Sequence, residues 1–420
     1  LEGILRQIRL LKCTSSERKR EGLCALCHTH RHLCGKPFCP LIVRAKVLTD
    51  LKKVLGCREF LGASPPGIFV GSWGYPKVLA GPLVPPLEGT DTSIMDTPEL
   101  WLGRTLEEVL GYRLTLIRGK ISMHVEMARN PPRFLTILQE EAMASRSTDT
   151  EVRMRKEPRL EIFFSPRAAP IGPSASLESL ALAGNPSVPR EVERTVSDGD
   201  LKAAPATVKL YEAGIPERQI VRLLSVGLLG TRRLRRLVPT EWSITAVDEI
   251  LGESLRRRIL EYEEIDEIML FGAMGFGNNV QLLLLPSPWM FEALEAWNLG
   301  IDPPIYGDYE LPWGRSSYPT NLAGAYHAAR LPVLEYLVGI RRQSAAIAFL
   351  EVGREWIPLG VWRFRELARE ALRHPPIRFD TLNEAFCELK ARLEIPMTKW
   401  LSASRLLSLH RAQRRIEAFF

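Results

Sequence analysis

Residues 268–285 read IMLFGAMGFGNNVQLLLL. Two apolar runs, Ile268–Phe271 and Asn279–Leu285, flank a glycine-rich turn at Gly272–Gly277. Short apolar runs of strand length, bounded by turn residues, predict two paired β-strands. The turn is G-x-x-G-x-G with no helix behind it, so it is not a dinucleotide-binding fingerprint. Helical spacing surrounds this hairpin. Helices are expected within 208–237, broken near Gly214-Ile215-Pro216, and again at 323–340 and 363–374, with the strand-like Ala345–Val352 between the last two. The expected fold is α+β, with mixed α/β as the variant, and with helices dominating after residue 205.

Upstream, residues 64–86 (SPPGIFVGSWGYPKVLAGPLVPP) predict short strands near 68–80 joined by tight turns. The turn Gly71–Lys77 mixes aromatics, glycines and a cation, which suits either a base or phosphate cradle or a corner of a β-rich core. Thr105-Leu106-Glu107-Glu108 is a helix start. Residues 143–205, rich in Pro, Ser and Ala, predict a long irregular crossing segment with one strand at Leu160–Phe164.

The chain has 420 residues, 45% hydrophobic and 25% charged, an ordinary globular composition that excludes disordered, collagen-like and coiled-coil chains. No apolar run approaches the roughly 20 residues needed to span a bilayer, and the N-terminus lacks a secretory apolar core. The expectation is a cytoplasmic, nucleoid-associated protein with no membrane partner. The net charge of +7 is concentrated: residues 1–60 carry thirteen Lys or Arg against five Asp or Glu, and the rest is nearly neutral. A basic segment on a neutral body points to a polyanion contact.

Six of the seven cysteines also lie in the first 57 residues. Residues 24–39 read CALCHTHRHLCGKPFC, two close pairs of soft ligands. Cys24, Cys27, Cys34 and Cys39 suit a tetrahedral Zn2+ (zinc) ion, with a Cys3His set drawn from His28, His30 or His32 as the alternative. Four protein ligands leave no open position, so the expected role is structural. Arg18, Lys19, Arg20, Arg31 and Lys36 surround this module and are the expected DNA contacts.

Residues 306–327 (YGDYELPWGRSSYPTNLAGAYH) gather Asp308, Glu310, Arg315 and His327, candidates for acid/base or phosphate chemistry. Such a loop equally seals a domain boundary. Arg232, Arg233, Arg235 and Arg236 are expected at a helix end, and Arg256–Arg258 opposite the acids at 261–267 as a mixed-charge face.

The last eight residues, QRRIEAFF, match the sliding-clamp binding motif Q-x-x-[I/L/M]-x-x-[F/Y]-[F/Y]. One helical turn places Ile416, Phe419 and Phe420 on one side as an apolar plug and leaves Gln413 for a side pocket. The expected partner is the sliding clamp (PCNA).

Across nearly its full length the chain resembles the Nre family of archaeal DNA-repair proteins. The resemblance rests on CALCHTHRHLCGKPFCP, SPPGIFVGSWGYPKVLAGPL, GPSASLESL, NPSVPREVERTVSDGDLKA, LVPTEWSITAVDE, LLLLPSPWMFEALEAW, YGDYELPWGRSSY, GVWRFREL and the terminal motif. Glu241 departs from the Arg expected within the VPT-x-WSITAVD stretch, which weakens a phosphate-binding role there. The resemblance implies DNA repair and recruitment by the clamp. The expected organisation is a basic zinc module (1–60), a mixed body (61–300), a helical part (301–400) and a tail (401–420). Two further readings stand beside a clamp-recruited DNA-binding factor. One is a repair enzyme acting on DNA or a nucleotide, its pocket between segments 64–81 and 306–327. The other is an RNA-binding zinc protein.

Overall fold

The structure, a computed structural model, describes Thr49 and residues 56–159, 172–298, 302–353 and 359–412. The four cysteine ligands, the cations Arg18–Lys36, the strand expected at Leu160–Phe164 and the motif from Gln413 to Phe420 lie outside the described residues.

The first sheet holds β1 (Glu59–Ser64), β2 (Gly67–Val70), β3 (Lys77–Val84), β4 (Ile117–His124), β5 (Thr148–Met154) and β6 (Ser174–Leu182). Its order is β1-β5-β6-β4-β3-β2, antiparallel except for the parallel β4/β6 pair. β1 and β2 are opposite edges, yet only Pro65 and Pro66 join them. Strands spaced about 4.8 Å apart in a flat sheet would put those edges beyond the reach of two residues. The sheet therefore curls toward closure, and the Ala63 N–H donates to Leu87 O at 2.7 Å, just past β3. Between β3 and β4, α1 (Leu106–Thr115) starts on the expected Thr105–Glu108 capping box.

β5, β6 and α3 (Arg190–Ser197) lie within 143–205, so the irregular crossing segment is corrected to one that carries two sheet strands and a helix. Both strands keep one polar exposed face, and β5 reads buried at every second residue. Their proline-rich flanks hid that alternation.

α2 (Arg133–Met143), α4 (Ala203–Glu212) and α5 (Glu217–Ser225) lie between the first sheet and α6 (Thr240–Ile259). The α4/α5 break falls at Gly214, whose φ of 79° is the left-handed conformation that glycine tolerates.

The second sheet contains β7 (Ile268–Gly275), β8 (Asn278–Leu285), β9 (Met290–Trp297), β10 (Ile305–Glu310), β11 (Ala345–Val352) and β12 (Ile377–Phe379), ordered β10-β9-β11-β8-β7-β12. The β7–β8 turn is tighter than expected. Only Phe276 and Gly277 form it, both with positive φ, as a two-residue hairpin matched to strand twist requires. This sheet crosses residue 300: β11 forms where a strand was expected, and β10 and β12 add two strands to the mainly helical stretch expected there.

Helices cover both faces of the second sheet, which is why β8 and β11 are buried at every residue. On one face α6, α7 (Gly324–Ile340) and α8 (Trp362–Arg373) join Phe271, Leu282, Leu284 and Phe291 in a core continuous with the first sheet. On the other, α9 (Leu382–Arg392), α10 (Met397–Ala403) and α11 (Arg405–Ala412) pack Phe386, Leu389, Trp400 and Leu406 against Leu270, Leu283 and Phe349. Glu292 of β9 accepts from the Arg405 and Leu406 N–H groups at 2.7 and 3.2 Å, capping α11 from the sheet.

A buried charge network ties the helices together. Arg365 Nη1 donates to Asp248 at 2.6 Å, and its Nε lies 3.2 Å from Glu217. Arg369 donates to Glu217 at 2.6 Å and to both oxygens of Glu335 at 2.8 and 3.0 Å. The Tyr211 hydroxyl donates to Glu335 at 2.6 Å. Burial competes with the two arginines, which hold the Glu217 carboxyl down at about 2. Burial pushes Glu366 up to about 7 despite Arg369 and Arg365, and Glu141 of α2 likewise to about 7.

These shifts set the pH response. Glu217 titrates lower when folded, so its contribution is full above the unfolded pKa and is lost as pH falls toward about 2. Glu366 and Glu141 titrate higher when folded, so stability falls as pH rises from 4.5 through about 7. Denaturant unfolding measured across pH should show the greatest stability in mildly acidic buffer. Glu366→Gln should flatten the neutral limb and leave the acid limb unchanged.

Candidate functional site

A cavity of about 590 Å3 opens beside the first half of α6. Trp242, Thr245, Ala246 and Glu249 line it at i, i+3, i+4 and i+7, one face of the helix. The opposite wall is the Arg315–Pro319 loop with Gly324 and His327 of α7, and Val361 closes one end. The start of α6 is fixed to the first sheet, where the Val70 N–H donates to Thr240 Oγ1 at 2.9 Å.

An ion-pair ladder supports the cavity wall. Glu310 lines the cavity, and its Oε1 accepts from Arg330 Nε and from Trp289 Nε1, both at 2.8 Å. Arg330 lies 3.6 Å from Glu249 and 3.9 Å from Glu253. It passes so close to α6 that a Cβ on Gly252 would sit 2.4 Å from its Nη1, so a larger residue there would displace the guanidinium. His327 Nδ1 lies 2.8 Å from Glu249 Oε2 but off the line of a good hydrogen bond. Arg330 Nη1, His327 Nδ1 and the Tyr326 hydroxyl are buried without a hydrogen-bond partner among the described residues.

Burial works to raise the Glu249 carboxyl, but the His327 imidazole 2.8 Å away and the Arg330 charge outweigh it and hold it below the usual range. Burial and the nearby Glu310 charge push the Tyr326 hydroxyl well above its ordinary value. At neutral pH the cavity offers an ionised acceptor at Glu249, an imidazole beside it, and half-exposed aromatic walls at Trp242 and Tyr318. That set accepts hydrogen bonds from a ligand, stacks a flat ring and permits proton exchange between carboxylate and imidazole. Among the described residues, no three His, Cys, Asp or Glu side chains converge as a metal site.

Three of the four candidates from the 306–327 segment, Glu310, Arg315 and His327, line this cavity. Asp308 does not. Its Oδ2 accepts from the Asn321 and Leu322 N–H groups at 2.9 Å each, and its Oδ1 meets Arg315 at 3.3 Å. Arg315 also donates to Tyr309 O at 2.6 Å and Ser317 O at 3.1 Å. Asp308 and Arg315 therefore staple the loop.

The expected pocket between 64–81 and 306–327 is corrected. The second segment faces α6 across the cavity, and the first stops outside, where Tyr75 packs on Trp242 at 5.1 Å between ring centroids. Burial of β2 and β3 in the first sheet holds that segment back. Trp242, Glu249 and Arg330 were missed; the helical spacing of Trp242, Thr245, Ala246 and Glu249 is the signal that marks them. Arg232–Leu234 forms an exposed 3-10 turn well beyond the end of α5, in place of the expected helix end. Arg256 and Arg257 pair upstream with Glu253, at 2.8 and 3.0 Å.

The family models described as "Archaeal Nre, N-terminal" and "Archaeal Nre, C-terminal" match residues 33–300 and 310–419. The chain is similar to DNA repair protein NreB of Archaeoglobus fulgidus, 36% identical over 93% of this chain and 98% of the relative. It is also similar to DNA repair protein NreA of the same organism, at 38% over 88% and 94%. DNA repair protein NreA of Haloferax volcanii is 35% identical over 80% and 83%. No solved structure gave a significant match. The gap between the two family models, residues 301–309, takes in most of β10, which pairs with β9 in one sheet.

Arg330→Met leaves Glu310 buried without its cation and should cost about 3–5 kcal/mol in denaturant unfolding. Adding Glu310→Gln removes the stranded charge and should restore most of that loss.

Proposed function

Because this chain belongs to the archaeal Nre family, we propose that it is a DNA-repair protein brought to DNA by the sliding clamp. The terminal motif carries this reading: Gln413, Ile416, Phe419 and Phe420 stand at the spacing of a one-turn apolar plug. The N-terminal module adds a second contact, with zinc held by Cys24, Cys27, Cys34 and Cys39 and DNA phosphates met by Arg18, Lys19, Arg20, Arg31 and Lys36. The names of the relatives, DNA repair proteins NreA and NreB, support this assignment. It places the protein in the cytoplasm with the nucleoid.

A second reading is favoured by the cavity beside α6. An ionised carboxylate, an imidazole and aromatic walls in one concavity suit a body that handles a nucleotide as well as docking on DNA. Glu249 and His327 are the pair on which acid/base work would rest, with Arg315 and Asp308 positioning the loop.

Removing residues 413–420 should abolish clamp association without lowering the melting temperature, as read by titration of the clamp and thermal unfolding. Phe419→Ala or Phe420→Ala should each remove most of the binding, since few contacts carry such interfaces. Binding unchanged on truncation would overturn recruitment through this motif. Metal analysis should find one zinc per chain, and Cys24→Ser should release it while the body stays folded.

A further inference from the structure

We propose that the cavity beside α6 receives a single unpaired nucleobase, while the strand carrying it crosses the neighbouring aromatic and cationic surface. The proposal rests on the DNA-repair reading and names the substrate class of that site.

The first observation is the distribution of aromatics. Trp73 is 88% exposed, Tyr75 44%, Trp242 44% and Tyr318 53%. A single exposed ring means little, but rings clustered around one concavity mark an interaction site. Trp242 and Tyr318 line the cavity, and Tyr75 packs on Trp242 at its mouth. Aromatic faces in series are how proteins hold unstacked bases without a duplex.

The second observation is where the charges lie. The cavity is lined by the carboxylates Glu241, Glu249 and Glu310, while Arg315 is spent on its own loop. A phosphate inside would face net negative charge. The exposed cations lie outside, at Lys77 next to the aromatic turn and at Arg232, Arg233 and Arg236. Backbone bonds join these segments: the Val125 N–H donates to Pro76 O at 3.0 Å, and the Leu237 N–H to Val125 O at 2.8 Å. Phosphates therefore belong on this cationic rim, with the base pointing inward.

The third observation is the hydrogen-bonding character of the interior. Glu249 is an ionised acceptor suited to an exocyclic amine, as carboxylates are to the amino group of cytosine. Beside it, His327 is 4% exposed and its Nδ1 is without a hydrogen-bond partner. Glu241, where the family resemblance leads one to expect Arg, adds to the rejection of phosphate.

The test uses the full chain with three probes: a single-stranded oligonucleotide bearing one 2-aminopurine, the same oligonucleotide paired in a duplex, and free deoxynucleoside monophosphates. The single strand should bind and change its 2-aminopurine fluorescence. The duplex should bind through its backbone with little fluorescence change. Free nucleotides should bind weakly, because their phosphate must stay near the acidic cavity; equal or tighter binding would assign the site to a free nucleotide and overturn the strand geometry.

Trp242→Ala should weaken the single strand by about five- to a hundredfold, the usual cost of losing a base–aromatic stack. Tyr318→Ala, on an exposed loop, serves as the second variant should Trp242→Ala unfold. Glu249→Gln should leave strand affinity within a few fold but reduce discrimination between cytosine-bearing and thymine-bearing positions. If the strand binds with unchanged 2-aminopurine emission, and Tyr318→Ala binds like wild type, the cavity proposal fails while DNA binding stands. If no DNA binds at all, both the proposal and the DNA-contact reading fall.

Discussion

Arg365 and Arg369 stand one turn apart on α8 and reach, between them, carboxylates on α5, α6 and α7. Each arginine gives up water to do so, and desolvating an ion costs several kcal/mol. The arrangement holds because the guanidinium donors meet carboxylates at 2.6 to 3.0 Å and because Glu366, the extra acid, is pushed toward its neutral form. A hydrophobic contact at the same place would tolerate sliding. A fork of fixed donors does not, so the network sets the register of four helices at once.

That register determines the cavity. Asp248 faces the network and Glu249, the next residue of α6, faces the cavity. On α7, Glu335 joins the network, while His327 and Arg330 sit about two turns and one turn earlier, near the cavity. The helices holding the polar groups of the site are thus the same ones pinned by α8. The residues near the cavity then carry the cost of that rigidity. Arg330 and His327 are placed by the helices, so that Arg330 Nη1 and His327 Nδ1 lie against the Glu249 carboxylate at 3.6 and 2.8 Å without the alignment of a good hydrogen bond.

Of the second sheet, β7, β8 and β11 were legible from sequence, β8 and β11 because they are buried on both faces, while β9, β10 and β12 were not. Continuous apolar runs such as Leu282–Leu285 and Ala345–Leu350 have few other readings, and Ala345–Val352 forms over the expected residues. The α4/α5 break at Gly214–Pro216 and the start of α1 were legible for local reasons, a left-handed glycine and a reciprocal cap. β5 and β6 were not, because TDTEVRM and SASLESLAL carry polar residues on one face and gain their stability from partners far along the chain. The cavity was half legible. The 306–327 segment announced itself by composition, but its opposing wall is a helix whose exposed face only tertiary packing reveals.

The C-terminal helices bear on how a tail motif and a cavity can act together. α11 is capped by Glu292 and packs, through Leu406 and Leu407, on the sheet face opposite α6, α7 and α8. Ala412, the last described residue before Gln413, belongs to that helix on the face away from the cavity. A partner held at the start of the tail does not need to cover Trp242 or Tyr318. Without that separation, binding at one place would compete sterically with binding at the other. With it, recruitment through the tail as proposed would raise the local concentration of DNA at the cavity mouth, and the two contacts would reinforce one another without a shared surface.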